Sequence, residues 1–327
     1  MADAVDIWEK PETEELYIVA GWRQWADAGS VSSGLPQYLI QQTNAKQIGE
    51  LHSDGFYLFQ IPGTHDLMRP AVKFKDGYPV SLRTQHNEFY YSGDHQRGMV
   101  IFIGDEPQLD AERYVNSFLD MARQLSARRI VGLGGVYGEV PYNRERLISS
   151  IYSLPYMKDE LLNLAVNLSD YEGGASIGSY ICRRASEQNL EYLSFYAFVP
   201  LYDFSSLGDM GNTVRVENDF TAWLGVMQRI NYNLKLGFDI ADLEKRSERL
   251  IQAMDKKIDT LEESHPELGV RAYLEKLSEG YTESSFNPLD EVWEEELRRL
   301  LDKFDDESED TDIADEDNLD DGEDDEI

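Results

Sequence analysis

The sequence lacks the residues from which most metal and disulfide sites are built. It has one cysteine, Cys182, which excludes an internal disulfide framework and a cysteine-based zinc site. The five histidines form no HxH or HxxxH pair. No run approaches the roughly 18 apolar residues that a membrane helix needs. We therefore expect no cofactor, no metal and no membrane partner.

Catalytic and targeting motifs are also missing. There is no GxSxG elbow and no GK[ST] sequence. Cys182 lies in the middle of a predicted helix, where a small buried residue is expected rather than a nucleophile. The N-terminal stretch MADAVDIWEK is acidic and polar, unlike a signal peptide. These absences predict a non-enzymatic, soluble, cytoplasmic protein.

Positive charge is scarce: 30 Lys and Arg stand against 63 Asp and Glu, a formal net charge of −33. Residues 305–326 hold 15 of the acids and no Lys or Arg, which predicts a disordered acidic tail at 305–327. The remaining 48 acids still outnumber the cations, and the arginine pairs are bordered by acids. Because phosphate-backbone binding needs a basic stripe, we expect no nucleic-acid partner.

Strand and helix patterns alternate as far as residue 238. Between the first two strand–helix units lies a β-rich insert over 48–91, including a predicted strand at 56–61 and a hairpin turning at Asp76-Gly77. The alternation predicts an α/β fold with a mixed, mainly parallel sheet, and we expect the hairpin to make it mixed. The other predicted strands are 16–20, 99–104, 130–133 and 192–199, with helices at 31–42, 109–125, 158–168 and up to 188.

Beyond residue 238 the pattern becomes wholly helical. Apolar residues recur at helical spacing over 240–261 and again over 289–304, with a shorter helix at 267–278. The predicted organisation has three parts. They are an α/β core domain at 1–238, a C-terminal helical extension packed on the core at 239–304, and the acidic tail at 305–327.

Residues 132–146, GLGGVYGEVPYNRER, resemble a phosphate loop at the end of a strand. A dinucleotide fingerprint needs glycine in the sixth place, where this chain has Tyr137, and Pro141 follows instead of a helix. We favour a glycine-rich bend whose backbone passes close to a neighbouring element. The alternative is an anion site that uses Arg144 and Arg146.

Two more glycine-containing motifs have an open interpretation. In WRQWADAG, Asp27 could be a general base, but we favour a turn residue. Trp22 and Trp25 could stack on a ligand or belong to the core, but we favour a place in an interface. In DYEGGASIG, Ser176 is a predicted N-cap. The helix that it opens could hold an anion, although an ordinary helix entry is favoured.

Four stretches, taken in order, resemble the proteasome assembly chaperone 2 family over roughly residues 15–260. The helical end is similar to that of longer bacterial members. The stretches are GWRQWADAGSVSSGLPQYLI, GLGGVYGEVPYNRE, YEGGASIGSYICRRASEQNLEYLSFYAFVPLY and FDIADLEKRSERL.

The resemblance implies a three-layer α/β/α sandwich like that of nucleoside phosphorylases, and homo-oligomers, with trimers among bacterial members. It also implies non-catalytic binding to proteasome subunits during assembly. Proteasome-binding members often end in a hydrophobic residue, tyrosine and any residue, whereas this sequence ends Asp325-Glu326-Ile327. The signature positions that it implies are Gly21, Asp27, Ala28, Gly29, Gly134, Val140, Pro141, Arg144, Gly174, Gly178, Pro200 and Tyr202.

Two hypotheses about function follow. The leading one is a non-enzymatic assembly chaperone or protein-interaction protein, and the alternative is a small-molecule-binding protein or enzyme whose phosphorylase-like cleft takes an anionic ligand. Arg144 distinguishes them, because it should point into the cleft in the second case and into a subunit contact in the first. The candidate pocket or interface residues are Trp22, Asp27, Ala28, Gly29, Gly134, Pro141, Tyr142, Arg144, Gly173, Gly174, Ser176 and Tyr202.

Overall fold

The structure, a computed structural model, describes residues 4–59, 69–204, 213–283 and 286. All the helices and strands given below belong to one compact unit, Met1–Ser285. The predicted helical stripe at 289–304 and the acidic tail at 305–327 lie outside the described residues. The predicted division between core and helical extension at residue 238 stays a prediction.

Twelve strands are present in the described part of the chain. The longest are the apolar strands that the sequence predicts, and the turn between β4 and β5 has positive φ at Asp76 and Gly77, as a two-residue hairpin requires. The strands are β1 (Val5–Ile7), β2 (Glu15–Arg23), β3 (Lys46–Leu51), β4 (Ala71–Lys75), β5 (Tyr78–Arg83), β6 (Asn87–Gly93), β7 (Arg97–Asp105), β8 (Arg129–Gly138), β9 (Ile148–Tyr152), β10 (Asn167–Leu168), β11 (Tyr192–Asp203) and β12 (Thr213–Arg215).

Seven α-helices accompany these strands in the described ranges. The helices that follow the core strands are amphipathic, and the two helices near the C-terminal side match the predicted helical pattern closely. They are α1 (Gly34–Thr43), α2 (Ala111–Gln124), α3 (Lys158–Leu162), α4 (Ile177–Glu187), α5 (Phe220–Leu234), α6 (Ala241–Ser264) and α7 (Val270–Glu279).

Ten of the strands form one sheet in the order β1-β3-β6-β7-β2-β8-β11-β9-β10, with β12 paired to β11. The four central strands β7, β2, β8 and β11 are parallel, whereas β6, β3 and β1 on one side and β9 on the other are added antiparallel. The predicted mixed, mainly parallel sheet is confirmed. The predicted reason was wrong, because the β4–β5 hairpin forms a separate two-stranded sheet.

Alternation along β2 shows how the helices cover both faces of the sheet. Leu16, Ile18 and Ala20 belong to the apolar core that α2 and α4 cover. Gly21 faces the other way, towards α1, where a Cβ atom would lie 1.8 Å from the carbonyl oxygen of Ser32. The rings of Tyr38 in α1 and Trp223 in α5 are 6.2 Å apart on that side. The α/β/α fold class is confirmed.

Several local predictions were wrong. Residues 56–59, the described part of the strand predicted at 56–61, are not in a strand, and Phe56 is buried in the core. The helix predicted at 158–168 ends at Leu162, and a two-residue strand parallel to β9 follows it. The sequence patterns assigned no element to β9 or α5. Apolar residues therefore marked what is buried more reliably than they marked the type of element.

A buried polar network links β6 to α2 and β2. The Asn87 Oδ1 atom accepts hydrogen bonds from the hydroxyls of Tyr57 and Tyr114 at 2.8 and 2.9 Å. The indole Nε1 of Trp22 donates to the Tyr114 hydroxyl at 3.0 Å. Polar groups buried in this way are stable only while all of them are hydrogen-bonded.

We expect the Asn87→Ala substitution to lower the free energy of unfolding by about 1–3 kcal/mol, because it leaves the buried Tyr114 hydroxyl without its acceptor. Urea unfolding followed by tryptophan fluorescence measures this loss. The exposed Asn143 provides the control, since Asn143→Ala should change stability by no more than about 0.5 kcal/mol. Equal effects of the two substitutions would contradict the role given to the network.

Candidate functional site

A cleft of about 290 Å³ lies at the carboxyl ends of the parallel strands. This edge of the sheet is where open α/β folds bind their ligands. Strands β8, β9 and β11, the loop after β2 and the entry to α4 form its walls. The lining residues are Trp25, Ala26, Val136, Ser149, Ile151, Ser169, Tyr171, Gly174, Ser176, Ser179, Tyr196 and Phe198.

The cleft is aromatic and hydroxyl-rich, and none of the described residues that line it is a lysine, arginine or histidine. Trp25 and Tyr171 are 69% and 71% exposed. Aromatic faces together with serine hydroxyls suit an uncharged group. Because no cation faces the cleft within the described ranges, its chemistry does not favour an anionic ligand.

The entry to α4 is closed by the protein's own side chains. Ser176 is the N-cap, as the sequence predicts, and its hydroxyl accepts a hydrogen bond from the Ser179 amide at 3.2 Å. The carboxylate of Glu106 accepts from the Ile177 amide at 2.6 Å, and burial raises the pKa of Glu106. A carboxylate therefore already lies where an anion would bind at this helix N-terminus.

The loop after β2 has a structural role at Asp27. The Asp27 Oδ1 atom accepts hydrogen bonds from the amides of Ser32 and Ser33 at 3.0 and 2.9 Å, as the favoured interpretation as a turn residue requires. Burial raises the pKa of Asp27, although these amides oppose the shift. Trp22 is buried in the core, which does not fit the interface that we favoured, and Trp25 lies at the rim of the cleft.

The glycine run GLGGVYG is part of β8 and not a loop. Its glycines allow close backbone approach. A Cβ atom at Gly135 would lie 2.0 Å from the carbonyl oxygen of Ala28, and one at Gly134 would lie 2.3 Å from the ring of Tyr196. The Gly135 amide also donates to the carbonyl of Ala26 at 2.8 Å. The predicted bend was therefore wrong, because these glycines lie within a strand, whereas the predicted close approach of the backbone to a neighbouring element is present.

Gly29 joins the same loop to the start of α5. Its φ is +60°, and a Cβ atom there would lie 2.7 Å from the Cβ of Asp219 and 2.9 Å from the side chain of Val199. Its carbonyl oxygen accepts hydrogen bonds from the Asp219 amide and from the Trp223 Nε1 atom, both at 2.9 Å. Only glycine fits this position without strain.

The most deeply buried ion pair at this end of the sheet joins Arg146 to Asp219. Both side chains are completely buried, and the guanidinium contacts the two carboxylate oxygens at 2.8 and 3.2 Å. Asp219 also caps α5 by accepting from the amides of Thr221 and Ala222. The Nη1 atom of Arg146 donates to the carbonyls of Pro141, Tyr142 and Arg144 at 3.1, 3.0 and 2.7 Å.

Arg144, which was expected to distinguish the two hypotheses, is not among the residues that line the cleft. Its side chain is exposed and lies 3.7 Å from Glu283. Tyr142 is buried, with its hydroxyl on Asp255, and the Tyr202 hydroxyl donates to the Val140 carbonyl at 2.6 Å. Of the candidate pocket or interface residues, only Gly174 and Ser176 line the cleft.

The candidate residues thus lie in two places. One is the cleft, which Gly174 and Ser176 line. The other is the packed framework around the Arg146–Asp219 pair and β8, which contains Asp27, Ala28, Gly29, Gly134 and Pro141. Asp219 was not predicted as a site residue, although its position before an apolar helix is typical of an N-cap. The cleft residues of β9 and β11 were not predicted either, because they have no distinctive motif.

Three further observations concern metal ligands, membrane spans and the cysteine. The described residues contain no group of three or more His, Cys, Asp or Glu side chains that could hold a metal ion. Within the same residues, no helix is long and apolar enough to cross a membrane. Cys182 is buried in α4, and burial raises the pKa of its thiol to about 12.

Comparison with known proteins gives a family and a fold. The PAC2 family model matches residues 22–258, and no curated protein matches the chain. A proteasome-assembly chaperone homologue from Mycobacterium tuberculosis is 20% identical with a TM-score of 0.64, over 74% of this chain and 95% of that one. A PAC2 family protein from Streptomyces avermitilis is 20% identical with a TM-score of 0.64, over 79% and 99%.

The fold is also similar to that of an archaeal protein, with a lower TM-score. An archaeal proteasome activator from Pyrococcus furiosus is 20% identical, with a TM-score of 0.53, over 77% of this chain and 97% of that one. At these identities the solved structures establish a shared fold.

The Arg146→Met substitution should lower the free energy of unfolding by about 3–5 kcal/mol, because it leaves the Asp219 carboxylate buried without its partner. Urea unfolding of the full chain measures the loss. Arg144→Met is the matched control two residues away, and it should change stability by no more than about 0.5 kcal/mol. A loss below about 1 kcal/mol for Arg146→Met would show that the pair is dispensable.

The Cys182 thiol should react with Ellman's reagent only very slowly in the folded protein at pH 8. Burial keeps the thiol protonated and out of reach, and the thiolate is the reactive form. In denaturant the same thiol should react fully within minutes. Fast, stoichiometric labelling of the native chain would contradict the assignment of Cys182 as an inert core residue.

Proposed function

The chain belongs to the PAC2 family, and we propose that it is a non-enzymatic assembly chaperone or protein-interaction protein. One observation carries the proposal: the charged side chains of Asp27, Arg146 and Asp219 are used within the packed framework and do not line the cleft. The side chains of Arg146 and Asp219 are completely buried, and the Asp27 carboxylate accepts hydrogen bonds from two backbone amides. A general base or nucleophile must be within reach of its substrate.

The partner that we propose is a protein. The similar structures include a proteasome-assembly chaperone homologue and an archaeal proteasome activator, which supports proteasome subunits or another protein as the binding partner. We further propose that the chain forms a homo-oligomer, with a trimer suggested by the family, and that it acts in the cytoplasm. In this proposal the acidic tail contacts a basic surface of the partner.

The alternative function, binding of an anionic small molecule in the cleft, has weaker support. Arg144 lies beside Glu283, and no lysine, arginine or histidine is among the described residues that line the cleft. An anion in this cleft would lose its hydration without gaining a cation. The exposed rings of Trp25 and Tyr171 suit an uncharged group of a protein partner better.

Affinity capture from the source cell's lysate tests this proposal. The tagged full-length chain should recover proteasome α-type subunits, or one other protein in stoichiometric amount, as quantified by mass spectrometry. The double substitution Trp25→Ala and Tyr171→Ala should reduce recovery if the cleft contributes, since exposed aromatic residues dominate interface energies.

Two controls make the result interpretable. A truncation to residues 1–304 tests whether the tail is needed for the contact. Asn143→Ala, which alters an exposed residue that does not line the cleft, should recover the partner as well as the unaltered chain does. Recovery of the tagged chain alone, with no second protein in stoichiometric amount, would overturn the proposal.

A further inference from the structure

A second recess adjoins the cleft, and both recesses are lined by Trp25. The second recess has a volume of about 370 Å³, and it shares Trp25, Gly174 and Ser176 with the cleft. Glu106 and Tyr180 line the second recess but not the cleft. The two recesses together form one groove at the carboxyl ends of β2 and β7 and the entry to α4, which we call the Trp25 groove.

Two aromatic rings of the groove, those of Trp25 and Tyr171, are exposed to solvent. Both rings approach the same residue. The Tyr171 hydroxyl donates to the Gly174 carbonyl at 3.3 Å, and a Cβ atom at Gly174 would lie 4.0 Å from the Trp25 ring. Within the described residues, no cation lies over the face of either ring. An aromatic face attracts a cation, because the ring quadrupole is negative there.

The charges around these rings are negative. Asp170 and Glu172 flank Tyr171 in the chain, and both are exposed, with no ion-pair partner among the described residues. Consecutive Cα atoms are about 3.8 Å apart, well within the Debye length of about 8 Å at physiological salt, so both charges act on the rim of the groove. Glu106 adds a third carboxylate in the second recess, where the Ile177 amide donates to it at 2.6 Å.

Positive charge near the groove is already balanced. The guanidinium of Arg184 lies 5.3 Å from the centre of the Tyr180 ring, and Glu112 and Glu187 contact it at 3.0 and 2.6 Å. No lysine, arginine or histidine is among the described residues that line either recess. The carboxylates on both sides of Trp25 are therefore complementary to a cation that this part of the chain does not supply.

The wall of the cleft adds an apolar requirement. Val136, Ile151 and Phe198 line it together with the serine hydroxyls. An apolar side chain that enters the cleft is removed from water, which favours binding. A free small cation would leave this wall uncovered, and a nucleic acid or an anionic membrane would be repelled by the carboxylates.

We propose that the Trp25 groove binds a segment of a partner protein in which a lysine or arginine adjoins a large apolar residue. The basic side chain lies on the ring of Trp25 among the carboxylates of Glu106, Asp170 and Glu172, and the apolar side chain enters the cleft. The inference rests on the proposed function, because it gives the chemistry of the protein partner that the groove recognises.

Peptide titration of the purified full chain, labelled with fluorotryptophan and followed by fluorine NMR, tests the inference. The chain has five tryptophans, and the Trp25→Phe variant identifies the resonance of Trp25. The probe is the capped peptide acetyl-Gly-Phe-Arg-Gly-amide, and the reference peptide has citrulline, which is uncharged, in place of arginine. The arginine peptide should shift the Trp25 resonance saturably and bind roughly 5- to 30-fold more tightly than the citrulline peptide.

Charge-removing variants separate the carboxylates from the rings. Asp170→Asn with Glu172→Gln should weaken binding of the arginine peptide by about 3- to 10-fold and leave binding of the citrulline peptide unchanged. The matched control is Glu248→Gln with Glu275→Gln, which removes the same two charges from exposed positions that line neither recess. This control should bind both peptides as the unaltered chain does.

The remaining resonances show whether each variant is folded. Trp22 and Trp223 are buried, so their fluorine resonances should keep their positions in every variant. The Trp25→Phe variant should bind the arginine peptide more weakly than the unaltered chain, because phenylalanine offers a smaller and weaker cation-binding face.

The inference would be overturned if the arginine peptide left the Trp25 resonance unmoved, or if the arginine and citrulline peptides bound equally tightly. Equal binding of the arginine peptide to the Asp170/Glu172 variant and to its control would also contradict it. If acetyl-arginine-amide alone bound as tightly as the peptide, the ligand would be a free cation and not a protein segment. Lysate capture without any peptide binding would keep the proposed function and reject the groove, whereas peptide binding without capture would support the groove alone.

Discussion

The buried ion pair between Arg146 and Asp219 is the interaction on which this end of the molecule depends. Removing two charges from water is costly, and the cost is offset only when every donor and acceptor finds a partner. Here the guanidinium holds both carboxylate oxygens and three backbone carbonyls, and the carboxylate also caps α5. The Asp219 amide donates a hydrogen bond to the Gly29 carbonyl, so the same pair also holds the loop after β2 in place.

The buried ion pair and its hydrogen bonds explain why aromatic rings and hydroxyls, and not charged side chains, line the cleft. The charged groups at the carboxyl ends of the strands are used to join β8, α5 and the loop after β2, and Glu106 is used at the entry to α4. Rings and hydroxyls are left to face the cleft. A packed framework with an uncharged, partly aromatic recess supports the proposed recognition of a protein surface.

Much of the fold could be predicted from the sequence, because its central strands are continuous apolar runs and its helices have a clear apolar stripe. The hairpin was predicted from Asp76-Gly77 between two strand patterns, and the N-cap Ser176 from its place before a helix. The separate position of the hairpin could not be predicted, since its alternation fits a strand inside the main sheet equally well.

The site was harder to predict for a specific reason. Arg144 and Arg146 stand two residues apart, and only the position of Asp219, 73 residues later, decides which of them is buried. Likewise, the run of glycines in β8 indicates close approach without saying which backbone approaches. Long-range partners of this kind leave no local pattern in one sequence.

Amide hydrogen exchange of the full chain tests the central claim most directly. If the Arg146–Asp219 pair locks these segments together, the amides of Ser32, Gly135 and Ala222 should exchange only by global unfolding, with the same free energy as the amides in the middle of β2. Exchange of these three through a local opening well below that free energy would show that the segments move independently, and would contradict the account.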